Sequence, residues 1–314
     1  MKVVIAGGNS YLGQVLARFY AERAQEVVLL VRRPRLPQGN IRYEVWDGQT
    51  PGLWMQALNG AALLINMAGR TVNCRYTERN KREIVESRVY TTTILGEAVR
   101  RCVVPPRVWL NAASATMYRH AEDRPMDEYT GETGQGFSVE VCRRWEETFF
   151  AQVTPGTRKV ALRTTIVFGK RAPVVLTLFN LVKMGLGGKQ GTGRQMLSWI
   201  HETDFARATE WLYRHDEMDG TVNLAAPNPL PNTRLMQKIR KTLAMPFGLP
   251  SPKWLLEIGA VFIRTETELV LKSRWILPAR LKESGFRFLY PDMDSALAQI
   301  RGQSNSQSLP FGSM

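Results

Sequence analysis

The chain opens on an apolar, β-branched run from Lys2 to Ala6. This breaks into Gly7-Gly8-Asn9-Ser10, then resumes with apolar residues at helical spacing, Leu12, Val15, Leu16 and Phe19. That order predicts a strand, a tight turn and an amphipathic helix. The alternation continues: Val27 to Val31 reads as a second strand, Ile41 to Val45 as a short third, and Leu63 to Met67 as a fourth ending in Ala68-Gly69. Apolar positions at Ile84, Val85, Val89, Ile94, Leu95 and Ala98 predict a long helix over Glu78 to Arg101, and Pro105-Pro106 keeps it from running on. Arg107 to Asn111 is a fifth strand that leads into Ala112-Ala-Ser-Ala115. Phe137 to Gln152 is helical and Lys159 to Leu162 is a sixth strand. Strands alternating with helices predict an α/β fold, a doubly wound parallel sheet. Its ligands belong at the carboxyl ends of the strands, where the strand order reverses.

Past residue 170 the pattern changes. Gly185-Leu-Gly-Gly-Lys-Gln-Gly-Thr-Gly-Arg194 is glycine-rich but lacks the Lys-Ser/Thr of a phosphate-binding P-loop, so it reads as a mobile turn or hairpin. Trp199-Ile-His201 follows, then Thr203-Asp204 opens a helix, with Asp204 a candidate cap. Asn223 to Ala226 reads as a late strand. From Asn232 the chain is mainly helical, with breaks at Pro246, Pro250, Pro252 and Pro278. Leu255, Leu256, Ile258, Val261, Phe262 and Ile263 predict a helix buried against the core rather than on a membrane. The polar stretch Arg301 to Met314 predicts a disordered tail. The organisation expected is a doubly wound α/β domain over 1–230 with a lobe inserted near 170–200, a smaller helical domain over 231–302, and a tail over 303–314.

Composition narrows this picture. The 314 residues are 44% hydrophobic and 22% charged, ordinary for a globular chain. No run is apolar and long enough to span a bilayer, and a strand starting at Lys2 leaves no room for a signal peptide. Cys74, Cys102 and Cys142 are scattered and lack ligand spacing, which predicts reduced thiols in a cytoplasmic setting rather than disulfides or zinc. His120, His201 and His215 are too few for a histidine metal cluster. The net charge of +14 raises nucleic acid or an anionic membrane as partners. Basic residues are spread along the chain, however, and Arg75 to Arg88 is interleaved with Glu78, Glu83 and Glu86. A solvated basic surface, without a recognition helix or RNA motif, argues against nucleic acid. Such a surface still attracts an anionic cofactor.

The turn carries the first chemistry. A strand–glycine–helix junction gathers backbone N–H groups and the positive end of a helix dipole, which suits a diphosphate. Gly7 permits the sharp turn and Gly13 lets the helix pack on the strand. Ser10 stands where a third glycine is usual; its hydroxyl can cap the helix or donate to a phosphate. The second strand ends in Val31-Arg32-Arg33, with no carboxylate to hold the ribose 2′-hydroxyl of NAD. Arginine there suits a 2′-phosphate, so NADP(H) is predicted over NAD(H).

Four segments together make the chain resemble an extended short-chain dehydrogenase/reductase: Ala6 to Gly13, Asn66-Met-Ala-Gly69, Ala113-Ser-Ala-Thr-Met-Tyr118 and Trp199 to Asp204. More narrowly it is similar to an atypical, epimerase-like subfamily of uncharacterised proteins. The marks of that subfamily are Glu83 to Arg88, Cys142-Arg-Arg-Trp-Glu146, Gly185 to Gly188, Gly193-Arg194, Asn223 to Pro229, and a C-terminal domain carrying Leu277-Pro-Ala-Arg280 and Gly285-Phe-Arg-Phe288. The resemblance implies a Rossmann core that binds NADP(H) and acts on a small molecule. Gly7, Gly8, Ser10, Tyr11, Leu12 and Gly13 would meet the diphosphate, and Val31 and Arg32 the adenosine phosphate. Met67 and Ala68 would pass under the cofactor, with Glu83, Arg88 and Ile166 approaching it. Glu83 and Arg88 also read as an exposed helix pair. Relatives pair through the long helices, so monomer and homodimer both stay open.

Hydride transfer in this superfamily uses a tyrosine acid, a lysine four residues on, and a serine or threonine that orients the substrate oxygen. The lysine shares the tyrosine's helix face and favours tyrosinate. Ser114 takes the serine position. With Glu146 aligned to the acid ending the helix motif, the tyrosine and lysine positions are Ser138 and Cys142, so both catalytic residues are missing. Tyr118, His201, Glu140 and Cys142 are candidate replacements, Tyr118 being equally readable as packing. Trp199 and His201 could line a substrate pocket, with His201 equally readable as structural, and Arg194 could anchor an anion. Three accounts stay open: an oxidoreductase or epimerase with another proton donor, chemistry that needs no strong acid, or a catalytically silent NADP(H) sensor or scaffold.

Overall fold

The computed structural model describes residues 1–251 and 272–302. Seven strands form one parallel sheet: β1 (Lys2–Ala6), β2 (Glu26–Val31), β3 (Ile41–Val45), β4 (Leu63–Asn66), β5 (Val108–Ser114), β6 (Arg158–Thr164) and β10 (Gly220–Leu224). Their spatial order is β10-β6-β5-β4-β1-β2-β3. The order reverses between β1 and β4, which pair Val3 with Leu63 through Ala6 with Asn66. This is the doubly wound arrangement expected from the alternation.

The apolar runs are long because both faces of the sheet are covered. Val3, Ile5, Leu29, Leu63 and Ile65 face one layer, with Leu16 and Tyr20 of α1 (Tyr11–Ala21) and Phe205 and Leu212 of α5 (Glu202–Arg214). Val4, Val28, Leu30, Leu64 and Trp109 face the other, with Leu95 and Val99 of α2 (Glu78–Arg101) and Phe149 of α3 (Phe137–Phe150). The expected bounds of α2 match those observed. β6 is longer than predicted because it pairs with β5 over seven residues and with β10 on its other side. α3 is two residues shorter.

The remaining elements build a lobe against the carboxyl ends of the strands. They are β7 (Ile166–Phe168), α4 (Pro173–Lys183), β8 (Met196–Leu197), β9 (Trp199–His201), β11 (Leu230–Pro231), α6 (Asn232–Thr242) and α8 (Met293–Arg301), while α7 (Ala279–Glu283) packs beside the start of β10 with Leu281 in the sheet layer. Val175, Leu178 and Val182 of α4 share a core with Leu235 and Ile239 of α6 and with Leu297 and Ile300 of α8. That core crosses residue 230, where the sequence suggested a division. The helix expected over Leu255–Ile263, and the tail from 303, lie outside the described residues.

The glycine-rich run departs from expectation. It is neither a free turn nor a hairpin but a docking strip for residues 248–251. Gly188 donates its N–H to the Leu249 carbonyl, Leu249 donates to Gly185, and Ser251 to Lys189. A Cβ at Gly188 would lie 2.5 Å from the Leu249 backbone, so the two chains meet only because no side chain intervenes.

Asp204 also differs from its predicted role as a cap. The N-cap of α5 is His201, whose Nδ1 accepts from Thr203 N–H at 3.2 Å. Asp204 is fully buried and accepts from the Leu289 and Tyr290 N–H groups at 2.9 and 2.8 Å and from Arg207 at 2.8 Å. It clasps the C-terminal segment to the sheet layer. Asp204→Ala leaves two N–H groups and a guanidinium without their acceptor, and should lower stability by about 3 kcal/mol in urea unfolding. A loss under about 1 kcal/mol would contradict the clasp.

Candidate functional site

The turn after β1 is built around Gly7, whose φ of +78° only glycine adopts at little cost. Ser10 caps α1: its Oγ accepts from Gly13 N–H at 3.0 Å and donates to the Gly7 carbonyl at 2.8 Å. Of the two roles open to this hydroxyl, capping is the one observed. Among the described residues the N–H groups of Tyr11 and Leu12 find no acceptor. They form, with the helix dipole, a place for an anion. Tyr11 extends away, donating its hydroxyl to Glu202 at 2.5 Å, and burial pushes that phenol well above its ordinary value. Gly8 and Gly13 are buried, with Leu12 half-buried beside them.

β2 ends in buried Val31, after which Arg32 and Arg33 stand exposed. β4 ends in Asn66, and Met67 and Ala68 continue it, both at least nine-tenths buried. A polar network fixes this end. Asn66 Oδ1 accepts from Ala68 N–H at 3.0 Å, its Nδ2 donates to Asn111 Oδ1 at 2.8 Å, and Trp145 donates to Thr92 at 3.2 Å beside them. The sequence signal for this network was an asparagine in each of two otherwise apolar runs, Asn66 at the end of β4 and Asn111 in the middle of β5.

Arg88 and Glu83 part company. Arg88 is nine-tenths buried, lies 4.9 Å over the Trp145 ring and donates to the Ile84 carbonyl at 2.8 Å. No carboxylate among the described residues pairs with it, and burial lowers its proton affinity. It rests on Gly69, just past the end of β4. The exposed-pair reading therefore fails for Arg88. Glu83 is half-exposed and is held by Arg70 and Arg79.

Ser114, at the serine position, stays half-exposed at the carboxyl end of β5; its Oγ accepts from Thr116 N–H at 3.2 Å. Tyr118 is buried, donates to Asn223 at 3.0 Å and accepts from Arg163 at 3.0 Å. Burial raises its pKa, and Arg163 is itself bidentate to the buried Glu146. This is the packing role, not that of an accessible acid. His201 is fully buried between Gln299, Thr203 N–H and the Tyr290 ring, so it lines no substrate pocket, and neither does the fully buried Trp199. Glu140 is tied to Arg143 and Arg144 on the surface of α3. Cys142 is buried and hydrogen-bonded to Ser114, and burial pushes its thiol up to about 11. Arg194 points outward, 79% exposed, toward Glu122 at 3.7 Å, so it anchors nothing in the site.

Beyond Ile166 lies a cavity of about 130 Å³. Leu178 and Leu197 give it apolar walls, Gln190, Gln195 and Asn232 supply amides, and Lys272 and Arg274 enter from the C-terminal segment. Lys272 Nζ also donates to the Thr116 carbonyl at 3.1 Å, which joins the cavity to the end of β5. Sequence reasoning missed Lys272, because nothing in its neighbourhood marks it as facing a strand end. Among the described residues no group of three His, Cys, Asp or Glu could hold a metal, and no helix is long and apolar enough to cross a membrane.

Residues 3–225 match the profile of the NAD dependent epimerase/dehydratase family, and residues 251–300 match a domain of unknown function, DUF1731. The epimerase family protein YfhF of Bacillus subtilis is 28% identical over 305 residues, covering 96% of this chain and 98% of its own. The human epimerase family protein SDR39U1 is 27% identical over 305 residues, covering 96% and 99%. The crystal structure of human SDR39U1 with NADPH superposes with a TM-score of 0.84 at 24% identity, covering 97% of this chain and 100% of that one. A nucleoside-diphosphate sugar epimerase from Corynebacterium glutamicum gives 0.77 at 27%, covering 96% of this chain and 58% of that one.

Burial depresses the His201 pKa, so the unfolded chain takes up a proton near pH 6.5 that the folded chain refuses. Stability should therefore fall as pH drops from about 7.5 toward 5, with this residue contributing a slope of up to about 1.4 kcal/mol per pH unit. His201→Gln should flatten that slope in denaturant unfolding compared across pH. An unchanged slope would mean that His201 protonates as readily folded as unfolded.

Proposed function

The chain belongs to the NAD dependent epimerase/dehydratase family. On that premise we propose that it binds NADP(H) over the Gly7–Gly13 turn and acts as an oxidoreductase or epimerase-like protein on a small molecule in the cavity beside Ile166. The nicotinamide supplies or accepts the hydride; the chain's own residues bind, orient and exclude water. The free N–H groups of Tyr11 and Leu12 suit the diphosphate. Gly8, Ser10 and Gly13 let it approach, while Met67 and Ala68 form a floor held rigid by Asn66. Arg88 brings a buried positive charge to the same crevice, and Glu83, bound by Arg70 and Arg79, flanks it. Ser114 orients the substrate oxygen.

One observation carries the choice of cofactor: β2 ends in Val31 and two exposed arginines, with no carboxylate there for a ribose 2′-hydroxyl. The human relative crystallised with NADPH supports the same reading. A second reading, a silent NADP(H) sensor or scaffold, draws on Ser138 and Cys142 standing where an acid and a cation are expected.

NADPH should bind at least about tenfold more tightly than NADH in a fluorescence titration. Arg32→Asp should cost NADPH about 1.5–3 kcal/mol, the worth of hydrogen bonds to a charged group, and leave NADH no weaker. Equal affinities, or tighter NADH, would remove the assignment of NADP(H).

A further inference from the structure

The helix face that lacks the usual tyrosine and lysine is not bare of equivalent chemistry. Ser138 and Cys142, one turn apart on α3, are both at least nine-tenths buried, so other residues cover that face. The phenol of Tyr76, from the segment leading into α2, reaches it: Tyr76 Oη lies 3.4 Å from Ser138 Oγ, and its ring stands edge-on to Phe137 at 4.8 Å. Arg88, from three turns further along α2, lies 4.9 Å over the ring of Trp145, one turn beyond Cys142 on α3, which brings its charge to this corner; its field reaches Cys142 and Tyr76. Trp145 and the Ile84 carbonyl hold the guanidinium in place.

We propose that Tyr76 and Arg88 rebuild the missing pair from the opposite helix, with the phenol beside Ser138 as the acid and the guanidinium beside Cys142 as the cation. This rests on the NADP(H) reading above. The substrate carbonyl takes a hydride at carbon from the reduced nicotinamide. Its π electrons move to oxygen, which takes the proton of Tyr76 Oη. The products are the alcohol, the oxidised nicotinamide and a tyrosinate in the field of Arg88, which a proton from water then neutralises. A fixed cation favours the tyrosinate, as lysine does elsewhere in the superfamily. A guanidinium in this position keeps its charge despite burial. Among the described residues, the charged and titratable groups facing this corner include Cys142 and Glu146 of α3, Lys272 of the C-terminal segment, and Lys81, whose Nζ lies 5.7 Å from the Phe137 ring centre.

The test is an ultraviolet pH titration of the full chain, with Tyr76→Phe subtracted to isolate one phenol. Tyr76 should ionise below the ordinary tyrosine value of about 10. Arg88→Gln should weaken its acidity at least about tenfold, and Arg88→Lys should restore most of it. A Tyr76 that ionises at or above about 10, or is unmoved by Arg88→Gln, overturns the proposal. If circular dichroism shows Arg88→Gln unfolded, the wild-type value and the Arg88→Lys variant decide the matter alone. Titrating the wild type with NADPH separates the two readings. Absent binding sinks the cofactor reading, whereas normal binding with an ordinary Tyr76 sinks only this one.

Discussion

Three backbone segments touch at the carboxyl end of the sheet, and the site depends on that contact. A Cβ on Gly7 would lie 2.8 Å from the backbone of Met67 and Ala68, and one on Gly13 would lie 2.4 Å from the Gly7 carbonyl. Real side chains do not tolerate such distances. Bare Cα atoms therefore let the first turn lie against the end of β4 and the first helix against the turn. Because β1 and β4 are also the neighbours between which the strand order reverses, this contact forms the floor of the crevice. Asn66 stiffens the same floor from below by holding Ala68 N–H and Asn111 together.

The positive charge of the chain looks different once its arginines are located. Several are structural. Arg163 is locked to Glu146, Arg207 bridges Asp204 and the Arg287 carbonyl, Arg158 collects the Leu212 and Tyr213 carbonyls at the end of α5, and Arg280 caps the Thr221 carbonyl of the edge strand. Guanidinium groups with several donors in a fixed plane serve well as clamps on carbonyl oxygens. These four guanidinium groups thus belong to the architecture rather than to a partner surface. Arg88 stands apart as a buried cation with an aromatic face and a carbonyl but no described counter-charge.

The sheet and its two helical layers were legible because burial on both faces leaves unbroken apolar runs, and Thr77 caps α2 where the periodicity starts it. The strand–turn–helix junction at Gly7–Gly13 was legible because its glycines sit between a strand and a helix. The lobe was much less so. A glycine that admits a passing chain and one that admits a phosphate look the same in sequence, and the chain docking on Gly185–Gly191 arrives some sixty residues later. The clasp at Asp204 was hidden because a buried carboxylate with distant backbone donors leaves no local trace. The corner around Ser138 was hidden for a related reason. Tyr76 comes from an aperiodic segment, and Arg88 is spaced along α2 much like its solvated neighbours Arg79 and Arg82.

The two stretches that match separate families do not fold as separate bodies. Ser198 donates to the Arg274 carbonyl, Glu128 accepts from Ala279 N–H, and Leu281 and Phe286 complete the layer beneath β6 and β10. A gene rearrangement that kept the dinucleotide half and dropped the rest would uncover apolar surface along a sheet edge and strand several buried acceptors. Such a fragment would be a target for proteolysis rather than a smaller stable domain. Inheritance of the pair as one unit follows from the way the C-terminal chain is stitched into the first core.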